Sequence, residues 1–157
     1  MQTECLVAAP LQMQLTWKQD SLQAIHICQT NQESCSAKLS PLAMQLFDQL
    51  QKYVCGKPVN WPELPLAWSN LPSFSRRVLS YIHSELKWGE WLSYSRLAEL
   101  CDNPRAARAV GMAMSRNPWP LVVPCHRVLA KKKRIGGFSS GTDLKKFLLS
   151  LEGIQWS

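Results

Sequence analysis

At 157 residues, with 46% hydrophobic and 18% charged side chains, the chain has a globular composition with room for one ordinary domain or two small ones, which excludes a disordered polymer. No apolar run approaches the roughly 20 residues of a bilayer span, and Met1-Gln2-Thr3-Glu4 lacks the pattern of a secretory leader, so a cytoplasmic protein (nuclear in a eukaryote) with no membrane partner is expected. The net charge of +7 is one-sided: residues 1–70 hold four lysines and five acids, whereas residues 71–157 hold every arginine and fourteen basic against six acidic residues, the imbalance that phosphate neutralisation requires.

Residues 4–8, 12–17 and 22–28 are short runs with alternating or β-branched apolar character and predict a small antiparallel sheet. Ser40-Pro41 pairs an N-cap serine with proline at the first helical position, and Leu42, Leu46, Leu50 and Val54 follow at helical spacing until Gly56 closes the helix. Pro58, Pro62, Pro65 and Pro72 hold residues 57–72 extended, and Trp61 and Trp68 between them indicate a connector packed on the protein. The expected organisation is therefore α+β: a small N-terminal domain, 1–72, with an antiparallel sheet, then a mostly helical C-terminal domain, 73–157.

From Ser73, a candidate cap, Phe74, Val78, Ile82 and Leu86 mark the apolar face of a helix that Lys87-Trp88-Gly89-Glu90 ends. Ser93 caps a second helix through Leu97 and Leu100. Asn103-Pro104 starts a third, running from Arg105 to Met114. Two short helices across a tight turn, the second rich in alanine and arginine, predict a helix-turn-helix. Ala106, Ala107 and Ala109 would let its backbone lie close to DNA. The basic run Lys131-Lys132-Lys133-Arg134 and Gly136-Gly137-Phe138 read as a loop or hairpin tip, which makes the helix-turn-helix a winged one, before a last helix from Thr142 to Leu151 ended by Gly153.

The six cysteines, at 5, 28, 35, 55, 101 and 125, include no C-x-x-C pair, and isolated cysteines are commonly small buried hydrophobes; neither disulfides nor a metal site at Cys5, His26, Cys28 and Cys35 is expected. Cys125 stands apart. Pro118, Pro120 and Pro124 fix the path of the chain, Leu121–Val123 is a buried run, and Cys125-His126-Arg127 is delivered at its end. An imidazole and a guanidinium beside a thiol can stabilise its thiolate. Adjacent residues of extended chain point to opposite sides, so His126 would reach Cys125 through a water or after a turn. A lone Cys-His pair is still more commonly an inert core pair than a reactive one.

The ordered set Arg108-Ala109-Val110-Gly111, Asn117-Pro118, Pro120, Pro124-Cys125-His126-Arg127-Val128, Gly136-Gly137-Phe138, Gly141 and Leu148-Leu149-Ser150-Leu151-Glu152-Gly153 resembles the O6-alkylguanine-DNA alkyltransferases, also called methylated-DNA–protein-cysteine methyltransferases. The resemblance covers about residues 73–157. It implies direct-reversal DNA repair without a cofactor: a monomer flips an alkylated guanine (or O4-methylthymine) out of double-stranded DNA and transfers the alkyl group irreversibly to its own cysteine. Cys125 would be the acceptor, His126 its water-linked base, Glu152 the group orienting His126, Asn117 a brace, and Tyr94 a proton source for the leaving guanine. Arg108 would fill the vacated stack, with Ser75, Ser93, Ala107, Arg116 and the helix start at Pro104 on the DNA. Met114, Trp119, Val128, Phe138 and Ser139 would form the pocket. Lys133 and Ser140 stand where the family commonly has glycine, and Phe138 where many members have tyrosine.

Three other readings compete with this one. A lesion-binding relative without chemistry would lack the acceptor cysteine. A cysteine hydrolase built on Cys125, His126 and Glu152 leaves the arginine-bearing helix without a purpose. A transcription factor would need longer side chains than that alanine-rich helix offers for base readout.

Overall fold

A computed structural model describes residues 1–157. The chain divides into two compact units, Met1–Ala67 and Trp68–Ser157, parting inside the proline-rich connector.

In the first unit, β1 (Gln2–Ala8), β2 (Leu11–Lys18) and β3 (Ser21–Gln29) form an antiparallel sheet in the order β1-β2-β3. The strict alternation of β2 buries Leu11, Met13, Leu15 and Trp17 on one face and leaves Gln12, Gln14 and Thr16 on the other. Helix α1 (Pro41–Val54) begins where serine and proline dictate: the Ser40 hydroxyl accepts from the Ala43 N–H at 3.3 Å. Glu4 holds this cap from the sheet, accepting from the Ser40 N–H at 2.5 Å and from the Trp17 indole N–H at 2.7 Å. The buried stripe of α1 is Ala43, Leu46, Leu50 and Tyr53: Leu46 and Leu50 are as expected, while Ala43 and Tyr53 take the places of Leu42 and Val54, which are half-buried.

In the second unit, α2 (Ser73–Glu85) buries Val78, Leu79 and Ile82. Its N-cap is Pro72, without a side-chain bond, so Ser73 is the first helical residue rather than the cap. A two-residue strand, β4 (Leu92–Ser93), leads into α3 (Tyr94–Leu100), which Ser93 caps by accepting from the Arg96 N–H at 3.0 Å. The third helix, α4 (Ala107–Ser115), starts later than Asn103-Pro104 predicts: the Ala106 N–H donates to the Asn103 carbonyl, closing a turn before the helix, and Ala106 caps it without a side-chain bond. Pro104 thus lies outside the helix it was expected to open. Helices α2, α3 and α4 pack around Val78, Ile82, Leu97, Val110 and Ala113, all fully or almost fully buried.

The chain then runs through a 3-10 turn at Cys125–Arg127 into β5 (Val128–Leu129), which pairs parallel to β4. Helix α5 (Thr142–Leu151) returns beneath that turn, burying Leu144, Lys145, Leu148 and Leu149. No helix of the molecule is long and apolar enough to cross a membrane.

Candidate active site

The loop that leads to Cys125 is built on a strained, tightly bonded backbone. Leu121, buried to 1%, adopts a φ of 76°, a left-handed conformation that disfavours a side chain bearing Cβ. Asn117, itself buried, holds the loop from inside: its Nδ2 donates to the Val123 carbonyl at 2.9 Å, and its Oδ1 accepts from the Trp119 N–H at 2.9 Å. The Val123 N–H reaches the Trp119 carbonyl at 2.9 Å, and the Cys125 N–H reaches that of Val123 at 2.8 Å. The proline-framed segment is therefore a braced bend, and it ends in the 3-10 turn that carries Cys125, His126 and Arg127.

Cys125 and His126 thus lie on a 3-10 turn and not on extended chain. His126 is wholly buried, and its Nε2 lies against Glu152 Oε2. A carboxylate only accepts, so Nε2 carries the proton and Nδ1 keeps its lone pair; Nδ1 is buried without a hydrogen-bond partner in the protein. Glu152, the residue after α5, is shared. Its Oε1 accepts from Arg127 Nε at 2.6 Å, and Arg127 Nη1 in turn donates to the Leu86 carbonyl at 2.7 Å. Burial opposes ionisation of Glu152, but His126 and Arg127 outweigh it and bring its pKa down to about 2. Burial likewise dominates at His126 and lowers its pKa, leaving a neutral imidazole that can accept a proton.

Cys125 is 2% exposed, and burial raises its thiol pKa. Four groups work the other way: the Asn117 side chain, the ammonium of Lys145, and the backbone N–H groups of Cys125 and His126 at the start of the 3-10 turn. The sulfur is thus a thiol at rest, placed among donors that favour its thiolate once the proton leaves.

Lys145 was given no role from sequence. It is the one lysine with no exposed surface, and its Nζ donates to the Val128 carbonyl at 2.9 Å and the Gly137 carbonyl at 3.2 Å, with the Tyr94 hydroxyl 3.5 Å away. Burial pulls its pKa down to about 8, against the Cys125 sulfur, which favours the charged form. Its position was a signal: Lys145 falls on the same helical stripe as Leu144, Leu148 and Leu149, where an apolar residue belongs. Arg127, expected from its place in the chain to help stabilise the thiolate, is instead the buried counter-charge of Glu152.

Beside the sulfur opens a cavity of about 370 Å³, lined by Tyr94, Gly111, Met114, Ser115, Cys125, Gly137, Phe138 and Ser139. Five expected residues meet there: Cys125, Tyr94, Met114, Phe138 and Ser139. Trp119 and Val128 do not line it. Trp119, 1% exposed, packs edge-on against Trp68 with ring centroids 4.9 Å apart, because the bend held by Asn117 turns it into the core. Val128 is fully buried in the β4–β5 pair, and its carbonyl is taken by Lys145. Tyr94 is fixed from behind by Gly136, whose φ is 65° and whose added Cβ would stand 2.9 Å from the tyrosine oxygen. Gly111 has no such protein constraint: a Cβ there would meet open space.

Arg108 and Arg116 are exposed on α4 and at its C-cap, Ala107 is the first residue of α4, and Ser75 is half-buried near the start of α2. The Ser93 hydroxyl is used as the cap of α3.

Residues 73–154 match the family model described as 6-O-methylguanine DNA methyltransferase, DNA binding domain. The human methylated-DNA–protein-cysteine methyltransferase is 48% identical over 81 residues, 52% of this chain, and the match spans only 39% of the human protein's length. The protein of that name from Methanothermobacter thermautotrophicus is 33% identical over 142 residues, covering 89% of this chain and 78% of its own. Among solved structures, Mycobacterium tuberculosis OGT in complex with DNA superposes with a TM-score of 0.75 at 30% identity, covering 93% of this chain and 89% of that one.

Proposed function

The chain belongs to the 6-O-methylguanine DNA methyltransferase family, and we propose that it repairs DNA by moving the alkyl group of O6-alkylguanine, and of O4-methylthymine, onto Cys125 in a single irreversible step. The observation that carries this reading is the buried thiol in the wall of a cavity of about 370 Å³, with a neutral imidazole next to it in the chain whose Nε2 is committed to Glu152.

The target atom is inaccessible inside a duplex, so the nucleotide must leave the stack at a cost of roughly a few kcal/mol. Arg108, long, charged and exposed on α4, fills the gap and offsets part of that cost. The small residues Ala107 and Gly111 keep the helix surface low where the backbone of the duplex approaches, with Arg116, Ser75 and Ser93 beside it. The flipped base enters between Tyr94, Met114, Phe138 and Ser139.

The Cys125 proton passes to Nδ1 of His126, directly or through a water, and Glu152 balances the imidazolium that forms. The thiolate, held by the Asn117 side chain, the Lys145 ammonium and two backbone N–H groups, attacks the alkyl carbon. The S–C bond forms as the C–O6 bond breaks, and the guanine that leaves takes a proton delivered by way of the Tyr94 hydroxyl. The product is a thioether, which water does not hydrolyse, so each chain acts once; it does so as a monomer.

Mixing the protein with limiting and then excess duplex carrying O6-methylguanine tests this. One methyl group gained per chain at saturation is the expected stoichiometry. Multiple turnovers per chain, or DNA binding without transfer, contradicts it.

A further inference from the structure

One basic feature of the second unit has no part in the chemistry above. Lys131, Lys132, Lys133 and Arg134 follow β5 after Ala130, and Lys131, Lys132 and Arg134 are exposed. None of the four forms an ion pair with an acidic group. Four adjacent cations repel one another, and a floppy chain would let them separate. This chain does the opposite.

The loop is closed by the Ala130 N–H on the Arg134 carbonyl at 2.9 Å, and it turns through a 3-10 segment in which Lys132 and Lys133 adopt φ values of 59° and 58°. Two consecutive non-glycine residues in the left-handed region are strained, so other contacts must hold them there. Those contacts are present. The Ser157 N–H donates to the Lys133 carbonyl at 3.0 Å, the Ser157 hydroxyl donates to the Lys132 carbonyl, and the Lys133 ammonium lies 5.2 Å from the centroid of the Trp91 ring. Beneath, Trp91, Ile135 and Trp156 pack on Leu129, Leu149 and Ile154. The outcome is a rigid knuckle that uses Lys133 as an anchor and presents Lys131, Lys132 and Arg134 to solvent. Its far end runs without interruption into Gly137, Phe138 and Ser139, the wall of the cavity.

We propose that this knuckle is a second phosphate-binding surface, which grips the sugar–phosphate backbone of the duplex apart from α4. It rests on the proposed repair function and deepens it. A preformed cluster of cations recognises a regularly spaced polyanion at little ordering cost, and it carries no base-reading geometry, so its contribution is independent of sequence. The departure of Lys133 from the glycine common in the family then has a purpose: its side chain pins the loop to Trp91.

The test combines Lys131→Gln, Lys132→Gln and Arg134→Gln in the full chain, with Lys131→Arg, Lys132→Arg and Arg134→Lys as the charge-preserving control. Binding to an unmodified duplex is followed against salt concentration, and methyl transfer is followed at limiting and at saturating DNA. The neutral variant is expected to lower the slope of log K against log salt by about 2–3, each phosphate contributing about 0.9. It should slow transfer at limiting DNA roughly 10- to 100-fold near physiological salt, leave the saturated rate and the thermal midpoint unchanged, and be rescued by the control. An unchanged slope and affinity in the neutral variant overturn the proposal while leaving the repair reading intact. A loss confined to the saturated rate overturns it as well. If the parent protein neither binds duplex nor takes up methyl, both readings fall together.

Discussion

The ammonium of Lys145 donates to the carbonyl oxygen of Val128 at 2.9 Å, tying α5 to the strand that leaves the acceptor cysteine. That bond places a positive charge in the interior between Cys125 and Tyr94, with no carboxylate beside it. A buried cation without an anionic partner is expensive to keep. Here the anion is the one the reaction creates, since the charge develops on the Cys125 sulfur when its proton departs.

Replacing Lys145 by methionine keeps the volume of the side chain, removes that charge, and strands the carbonyls of Val128 and Gly137. The buried Val128 carbonyl then costs about 1–3 kcal/mol, whereas Gly137 is exposed and its carbonyl can turn to water, and the loss is partly offset because no charge need be buried. Thermal stability should therefore change little. The rate of methyl transfer at saturating DNA should drop by roughly two orders of magnitude, a stabilising donor in a dry site contributing about 3 kcal/mol. A rapid-quench measurement on a folded Lys145→Met protein checks this, and an unaltered rate would remove Lys145 from the mechanism.

Asn117 bonds to both sides of the bend that contains the strained Leu121. Asn117→Ala takes the side-chain acceptor from the Trp119 N–H and leaves the Val123 carbonyl only the Cys125 N–H, a loss of about 1–3 kcal/mol in all. Denaturant titration should show the fall, and the transfer rate should decline with it because the sulfur loses a donor. Asn117→Asp keeps the acceptor for Trp119 but puts negative charge beside the thiol, so its rate should be lower than its stability alone would imply.

The sequence made much of this legible and left the rest hidden for identifiable reasons. Alternation in β2 and the Ser-Pro device at α1 carry their structure locally, and both elements form where expected. Asn103-Pro104 carries the same local signal, yet the chain spends it on a turn, because the Asn103 carbonyl bonds to Ala106 before α4 begins. Cys125, His126 and Glu152 were found through a motif and not through spacing, since 26 residues separate the imidazole from its carboxylate. Trp119 was misplaced for a related reason: no pattern in Pro118-Trp119-Pro120 reveals which way the bend turns. The role of Lys145 was missed although its place on an apolar stripe was readable.

Glu152 makes stability depend on acid. Its carboxyl titrates at about 2 in the folded protein, against 4.5 for the ordinary group. A depressed carboxyl pKa stabilises the fold above the unfolded value, and that stabilisation is lost as pH falls from about 4.5 to about 2; it amounts to about 3 kcal/mol. The stability advantage of the parent over Glu152→Gln should therefore be largest above pH 5 and shrink through that window. Urea midpoints collected at intervals between pH 6 and pH 2.5 give the comparison directly. A gap that stays constant would mean that Glu152 is not held as an anion by Arg127 and His126.

Gly136 governs Tyr94. Gly136→Ala introduces a Cβ 2.9 Å from the tyrosine oxygen, on a backbone with a φ of 65°. The substitution should lower stability by about 1–2 kcal/mol and slow transfer by displacing the hydroxyl. Combined with Tyr94→Phe, the two rate effects should fall well short of adding, because both act on one hydroxyl. Full additivity would show that Gly136 acts elsewhere.

The central claim is that Cys125 itself is consumed. Mass analysis of peptides after reaction with a duplex containing O6-methylguanine tests it most directly, since five other cysteines serve as internal controls. The account predicts the mass of one added CH2 unit on the peptide bearing Cys125, complete at one equivalent of DNA and absent in Cys125→Ser. Methyl on any other cysteine, or an unmodified Cys125 peptide alongside repaired DNA, would contradict it.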